Sequence, residues 1–339
     1  MLTQRNLPDL LCREEMLEFM QREVYGYLPA KPEQVEFTSK ALLRPNFAGK
    51  AVMHQVTADC LLADGKSFSF PFYAIFPTAA GKHPFFVHIK FTGNIPDPNQ
   101  PTEELIDNGY AVLCFDYRDV TSDDENMTNG LAGVLYPDGK RRPTDPGKIA
   151  MWAWAAQRLM DYAETLDCLD LSRAVVCGHS RLGKTALLAG ATDTRFSFVY
   201  SNDSGCSGAA ISREKVGESV TRISTRFPYW FCEQYWRYRN REQEMPFDQH
   251  YLLASIAPQK VLVGSATEDE WADPLSEQLG CLAAAPAFPN GFVCPDRTAV
   301  AGEGFLDGDI GYHLRQGMHY FSRQDWHQLI KFIDLHSKK

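Results

Sequence analysis

Residues 173–191 read RAVVCGHSRLGKTALLAGA. An apolar run, Ala174 to Cys177, ends on Gly178, and an Ala- and Leu-rich helical stretch begins directly after Ser180. The spacing predicts a buried strand that turns sharply into a helix. Such a turn sets the Ser180 hydroxyl at the carboxyl edge of a sheet, beside a helix N-terminus. The Arg181 amide then faces the oxyanion formed when Ser180 attacks a carbonyl, aided by the helix dipole. The motif departs from G-x-S-x-G, because Leu182 takes the second glycine position and Gly183 comes one residue late. A serine after a strand is common, so its partners must be sought elsewhere in the chain.

Four further apolar runs have the texture of parallel strands buried on both faces. They are FFVHIKF (85–91), YAVLCFDYR (110–118), FSFVYSND (196–203) and KVLVGSATED (260–269). Helical stretches lie between them over 101–109, 146–166, 181–191 and 273–285, the last opening on an Asp273–Pro274 N-cap and N1 pair. Ser322 and Asp325 form a capping box before a final helix, RQDWHQLIKFIDLH. An amphipathic helix over 13–28 and alternating strands near 34–43 and 51–77 precede the whole. Residues 119–146 and 286–310, rich in Gly, Pro and Asp, read as surface loops. The alternation predicts an α/β fold, a mostly parallel sheet with helices on both faces. With no linker in view, residues 1–339 read as one domain with an N-terminal helix and loop insertions.

Composition narrows the function. The 339 residues carry 34 Lys+Arg against 43 Asp+Glu, and 44% are hydrophobic, which excludes a disordered or coiled-coil chain. Basic residues are scattered, so no nucleic-acid partner is expected. No uncharged apolar run approaches the ~20 residues of a membrane span. The start, MLTQRNLPDLLCREEM, lacks a basic segment followed by an apolar one. No leader is therefore expected, and the cytoplasm is the default location. The nine cysteines form no C-x-x-C and read as free thiols in a reducing compartment. No metal or other cofactor is expected.

A nucleophilic serine needs a base, and the base needs an orienting acid. His88 falls in a strand run and His327 in the last helix. His319 sits in RQGMH, three residues before the Ser322 cap, where a hydrolase of this topology supplies its histidine; His313 is the fallback. For the acid, Asp269 follows the strand run at 260–267, whereas Asp273 is better explained as an N-cap. Asp203, in Ser201-Asn202-Asp203-Ser204-Gly205, competes; it also reads as a turn aspartate bonding its own backbone. The chain order Ser180, Asp269, His319 is that of the α/β-hydrolase fold. Lys184, one helical turn after Ser180, faces the same mouth, and Trp271 lies two residues after Asp269.

Taken together, GHSRLGK, SNDSGCSGAA, FPYWF, FDQHYLLASIAP, EDEWADP and RQGMHYFSRQDW resemble the glucuronoyl esterases, carbohydrate esterase family fifteen, in their bacterial branch. The resemblance runs from about residue 12 to the C-terminus. It implies an α/β-hydrolase that cleaves esters between 4-O-methyl-glucuronate and lignin-type alcohols without a metal. It implies further that Ser180 is the nucleophile, His319 the base and Arg181 an oxyanion residue. Lys184 and Glu218 then hold sugar hydroxyls, and Trp271 packs on the uronate. The acid varies within the family between positions matching Asp203, often Glu, and Asp269; the shorter Asp203 favours Asp269. The expected substrate is a small or glucuronoxylan-derived carbohydrate ester. The alternatives are a serine esterase for acetylxylan or other small esters, and a non-catalytic carbohydrate-binding relic.

Overall fold

In the computed structural model, which describes residues 5–42 and 47–337, ten strands form one sheet. They are β1 (Gln34–Ala41), β2 (Ala51–Leu61), β3 (Ser67–Pro77), β4 (His83–Lys90), β5 (Ala111–Asp116), β6 (Leu169–His179), β7 (Phe198–Asn202), β8 (Lys260–Ala266), β9 (Gly304–Phe305) and β10 (Ile310–Arg315). Their order across the sheet is β1-β2-β3-β5-β4-β6-β7-β8-β10-β9. The six strands from β5 to β10 in that order run parallel. Antiparallel β1–β3 extend one edge, and short β9 the other.

Side-chain alternation decides which helix covers which face. In β4, Phe85, Val87 and Ile89 join the core beneath helices Lys148–Ala163 and Arg181–Thr192. Phe86, pointing the other way, joins the core beneath Thr102–Asp107 and Arg323–Ser337. β4 and β5 are buried along their whole length, as the dense apolar runs required. Helix Lys148–Ala163 buries two tryptophans whose indole N–H groups still find acceptors, Trp152 on Thr121 O at 3.3 Å and Trp154 on Ala30 O at 3.0 Å. The Ser322–Asp325 capping box forms reciprocally, at 2.7 and 3.3 Å.

Several boundaries differ from the sequence reading. The first helix is α-helical only over Arg13–Met20 and continues as a π-turn, Gln21–Tyr25. It stops at Gly26 (φ 82°), where a Cβ would lie 2.3 Å from Asp145 O, so the incoming chain blocks further winding. Residues 119–146 are not all loop, since Gly130–Leu135 is helical. Residues 286–310 contain β9 and run into β10, a strand the sequence reading did not foresee. Residue 43 of the expected 34–43 strand, and residues 1–4 of the chain start, lie outside the described residues. All nine cysteines are free, six of them buried. Among the described residues no helix is long and apolar enough to cross a membrane.

Three buried histidines make this fold acid-sensitive. Burial pushes the imidazoles of His88 and His313 down to about 4, and that of His179 down to about 3 with nearby His319 adding to the effect. The folded chain therefore declines protons that the unfolded chain accepts near pH 6.5. Their contribution to stability is intact above pH 6.5. It is lost as pH falls towards 4, by up to about 1.4 kcal/mol per pH unit for each histidine. Imidazole NMR signals of these three histidines should accordingly show no protonation between pH 7 and pH 5. Protonation of any of them near pH 6.5 would mean that it is not held neutral.

Candidate active site

β6 ends at His179 and the next helix begins at Arg181. Ser180, between them, has φ 58° and ψ −126°, a backbone state that L side chains rarely adopt. The turn closes because Gly178 has no side chain: a Cβ there would lie 2.2 Å from Leu182 O. The Ser180 amide donates to Asn202 O at 2.8 Å, tying the turn to β7. The late glycine has its own reason. A Cβ on Gly183 would meet Ser201 Oγ at 3.0 Å and Ser204 Cβ at 3.1 Å, so the helix must be bare where it crosses β7. At the N-terminus of this helix the Arg181 amide has no intrahelical acceptor and points outward.

Two strand ends meet this turn. Asp269 follows β8, and His319 lies on the loop between β10 and the last helix. His319 Nδ1 and Asp269 Oδ2 are 2.6 Å apart. With Nδ1 donating to the carboxylate, Nε2 is left to accept a proton. Asp269 is 5% exposed. Burial alone would raise its pKa, but the bond from His319 and the Ala272 N–H at 3.1 Å outweigh it and hold the carboxyl below the usual range. The ring of His179 packs against that of His319 with centroids 4.4 Å apart, and its Nδ1 is bonded to Asn202 Oδ1 at 2.7 Å.

The other candidates are bonded to other groups, although Asp203 lines the same cavity as Ser180 and His319. Asp203 does not bond to His319. It is buried at the end of β7 with φ 45°, and its Oδ2 accepts from Arg315 Nη2 at 3.2 Å and from the Tyr320 amide at 3.4 Å. The expected turn bond to its own backbone gives way to these partners, and the neighbouring Ser204 hydroxyl donates to Glu277 at 3.2 Å. Burial, with Glu277 nearby, pushes the Asp203 carboxyl well above the usual range. His313, the fallback base, is buried inside β10, where Nε2 meets the Tyr200 hydroxyl at 2.9 Å. Asp273 caps its helix through Ser276 N at 3.1 Å, as the sequence suggested.

Arg181 is held from a direction the sequence did not reveal. Its Nη1 donates to Asp123, in the segment read as surface loop. Asp123 also accepts from the Tyr117 hydroxyl and from Trp230 Nε1, both at 2.7 Å. The guanidinium lies over the Trp230 ring at 4.7 Å, with Phe227 and Phe91 also in reach. Carboxylate and aromatic faces thus fix the cation beside Ser180.

A cavity of about 320 Å³ joins these groups; Ser180, Arg181, Lys184, Glu218, Asp269, Trp271 and His319 all line it, with Phe227, Trp230 and Arg226. Lys184 is buried, not exposed at the mouth, and its Nζ donates to Ser204 O at 2.5 Å. Burial pushes its ammonium pKa down, and the charge of Glu218 opposes that shift. Glu218 and Trp271 are joined by a backbone bond of 3.1 Å. Gly217 lets the two loops of this corner touch, since a Cβ there would lie 2.5 Å from Glu270 O. Trp271 stays 46% exposed at the rim. Among the described residues, the group that could hold a metal ion is His179, Asp203 and His319, with donor atoms within 4.8 Å of one another. Each already has a partner: Asn202, Arg315 and Asp269 respectively. A larger cavity, about 530 Å³, opens at the amino ends of β7 and β8, beside Phe198 and Lys260, far from the serine turn.

A strained serine between strand and helix, a histidine after the last parallel strand and an acid just after the strand before it define an α/β-hydrolase. Comparison with known proteins narrows this class. The family model described as "Glucuronyl esterase, fungi" matches residues 61–289. A carbohydrate esterase of an unknown prokaryotic organism, MZ0003, is 41% identical over 248 residues, covering 69% of this chain and 55% of its own length. A 4-O-methyl-glucuronoyl methylesterase of Podospora anserina is 29% identical, over 81% of this chain and 54% of its own. The glucuronoyl esterase from Solibacter usitatus superposes with a TM-score of 0.90 at 30% identity, over 99% of both chains. A CE15 esterase from a marine bacterial metagenome, titled promiscuous, gives 0.86 at 31% identity, over 99% of this chain and 98% of its own. The chain belongs to the glucuronoyl esterase family, and it spans about half the length of the curated relatives it matches.

Two predictions follow from the charges around the cavity. Asp269→Asn should lower kcat on ester substrates by more than a hundredfold, because the imidazole loses the partner that fixes its tautomer, whereas Asp203→Asn should lower it less than tenfold. The reverse ranking in steady-state assays would contradict the bonding seen here. Asp123→Asn should cost roughly ten- to a hundredfold in kcat with KM little changed, since a charged bond of about 1.5–3 kcal/mol holds Arg181. An unchanged kcat would mean that Arg181 needs no anchor.

Proposed function

We propose that this protein is a serine carboxylic-ester hydrolase acting on esters of a 4-O-methyl-glucuronate-type sugar. The observation that supports it best is that Ser180, the His319–Asp269 pair and the Lys184–Glu218 pair line one cavity. Ser180 attacks the uronoyl carbonyl while His319 Nε2 takes the hydroxyl proton. The oxyanion is stabilised by the Arg181 amide and guanidinium. His319 returns the proton to the departing alcohol. Water, activated by the same imidazole, then releases free uronate and regenerates Ser180.

Substrate preference rests on the polar pair. A uronate whose carboxyl is esterified brings no charge, so neither Lys184 nor Glu218 is needed on the cavity wall as its counter-ion. Lys184 has donors to spare beyond Ser204, and Glu218 can only accept, which together suits a ring of hydroxyls. Trp271 offers an apolar face at the rim. The relatives named as 4-O-methyl-glucuronoyl methylesterases, from Podospora anserina among others, point the same way. A broader ester range, including acetylated sugars, is the second reading, favoured by the relative titled promiscuous. Nine free thiols favour a reducing compartment, where soluble uronate esters rather than polymer would be met.

Ser180→Ala should abolish turnover of benzyl glucuronate in a folded protein. Lys184→Ala and Glu218→Ala should each lower kcat/KM on that substrate roughly ten- to a hundredfold, but much less on a plain aryl acetate, which has no ring hydroxyls. Equal losses on both substrates would refute sugar recognition by this pair. Residual turnover in Ser180→Ala would refute the serine mechanism itself.

A further inference from the structure

Arg315 ends β10 four residues before His319 and is 4% exposed. Its guanidinium is spent on the segment that carries the histidine. Nη1 donates to Gln316 O at 3.3 Å; Nη2 donates to Met318 O at 2.8 Å and to Tyr320 O. Two buried carboxylates complete its surroundings: Asp325 Oδ2 takes Nε at 2.7 Å, and Asp203 Oδ2 takes Nη2 at 3.2 Å. Asp325 also caps the last helix through Ser322 N at 2.7 Å, so the arginine joins strand, loop and helix. His319 itself, on this loop, has a half-exposed side chain that packs on the His179 ring.

We infer that Arg315 is the positioning residue for His319, fixing the loop from below, and that Asp203 serves as a hydrogen-bond acceptor for Arg315 rather than as an acid of the catalytic group. The carbonyls of Met318 and Tyr320 flank the histidine in sequence, so holding both fixes where the imidazole stands against Asp269 and Ser180. A planar fork with five donors can serve three carbonyls and two carboxylates at once; a lysine has only three donors, on a flexible stem. The bond to Arg315 also explains why the shorter Asp is sufficient at position 203. There it needs to reach Arg315, not the imidazole.

The inference rests on the serine esterase reading, and one experiment separates their failures. A fluorophosphonate reacts with a histidine-activated serine without any sugar recognition. If wild-type protein is not labelled at Ser180, the esterase reading fails. If it is labelled, Arg315→Lys, shown to be folded by circular dichroism, should label ten- to a hundredfold more slowly. Its kcat should fall by a similar factor on benzyl glucuronate and on an aryl acetate alike, with KM changed less than threefold. A labelling rate and kcat within twofold of wild type would overturn the inference. Should Arg315→Lys not fold, Gly317→Ala tests the same clamp from the exposed side, since its Cβ would press on Arg315 Nη1 at 3.1 Å from a residue with φ 120°. Slowed labelling in that variant supports the clamp, and an unchanged rate overturns it.

Discussion

The left-handed backbone of Ser180 is the constraint from which the site unfolds. It is tolerated because Gly178 leaves room for the Leu182 carbonyl and because the Ser180 amide is bonded to β7. Strain at one residue, of order 1–3 kcal/mol, is held by a surrounding sheet that could not relax without breaking parallel pairing. In return the hydroxyl stands clear of its own strand, beside a helix N-terminus. The strands to its side, β7, β8 and β10, then deliver Asp203, Asp269 and His319 to the same edge. This is the edge at which open α/β sheets present their ligands' binding groups.

Two charge systems, one half-buried and one buried, flank that serine, and both centre on arginine. Asp123 with Arg181 lies on one side, and Arg315 with Asp203 and Asp325 on the other. Burying such pairs gains little net stability, because desolvation offsets much of the attraction. Their use here is geometric. The first holds a cation against the aromatic wall of Phe227 and Trp230; the second holds a loop whose tip carries His319. Between them, Lys184 and Glu218 give the cavity wall one donor and one acceptor of opposite charge. Much of what the site needs is therefore bonding that lies behind its surface.

The parallel core was legible in the sequence because strands buried on both faces must be apolar at every position, as β4 and β5 are. β10 escaped notice because it buries His313 and Arg315, whose partners Tyr200 and Asp203 are distant in sequence. The first helix was read too long because apolar periodicity continues past Met20, while the contact of Gly26 with Asp145 that ends it is a tertiary one. Ser180, His319 and Asp269 could be picked out by their order and by their places after strands. Asp123 could not. It is one of four aspartates between residues 116 and 124, and only the fold brings it to Arg181. The choice between Asp203 and Asp269 turned on side-chain reach, and the 2.6 Å contact with His319 belongs to Asp269.

The central claim is that a uronoyl group resides on Ser180 between departure of the alcohol and arrival of water. Partitioning tests it most directly. With methanol added, initial rates of free uronate and of methyl uronate formation are measured from esters bearing different alcohols. A shared acyl-enzyme requires the same product ratio whichever alcohol has left. A ratio that changes with the leaving alcohol, or the absence of methyl ester while hydrolysis proceeds, would mean that water attacks the substrate directly and that Ser180 carries no intermediate.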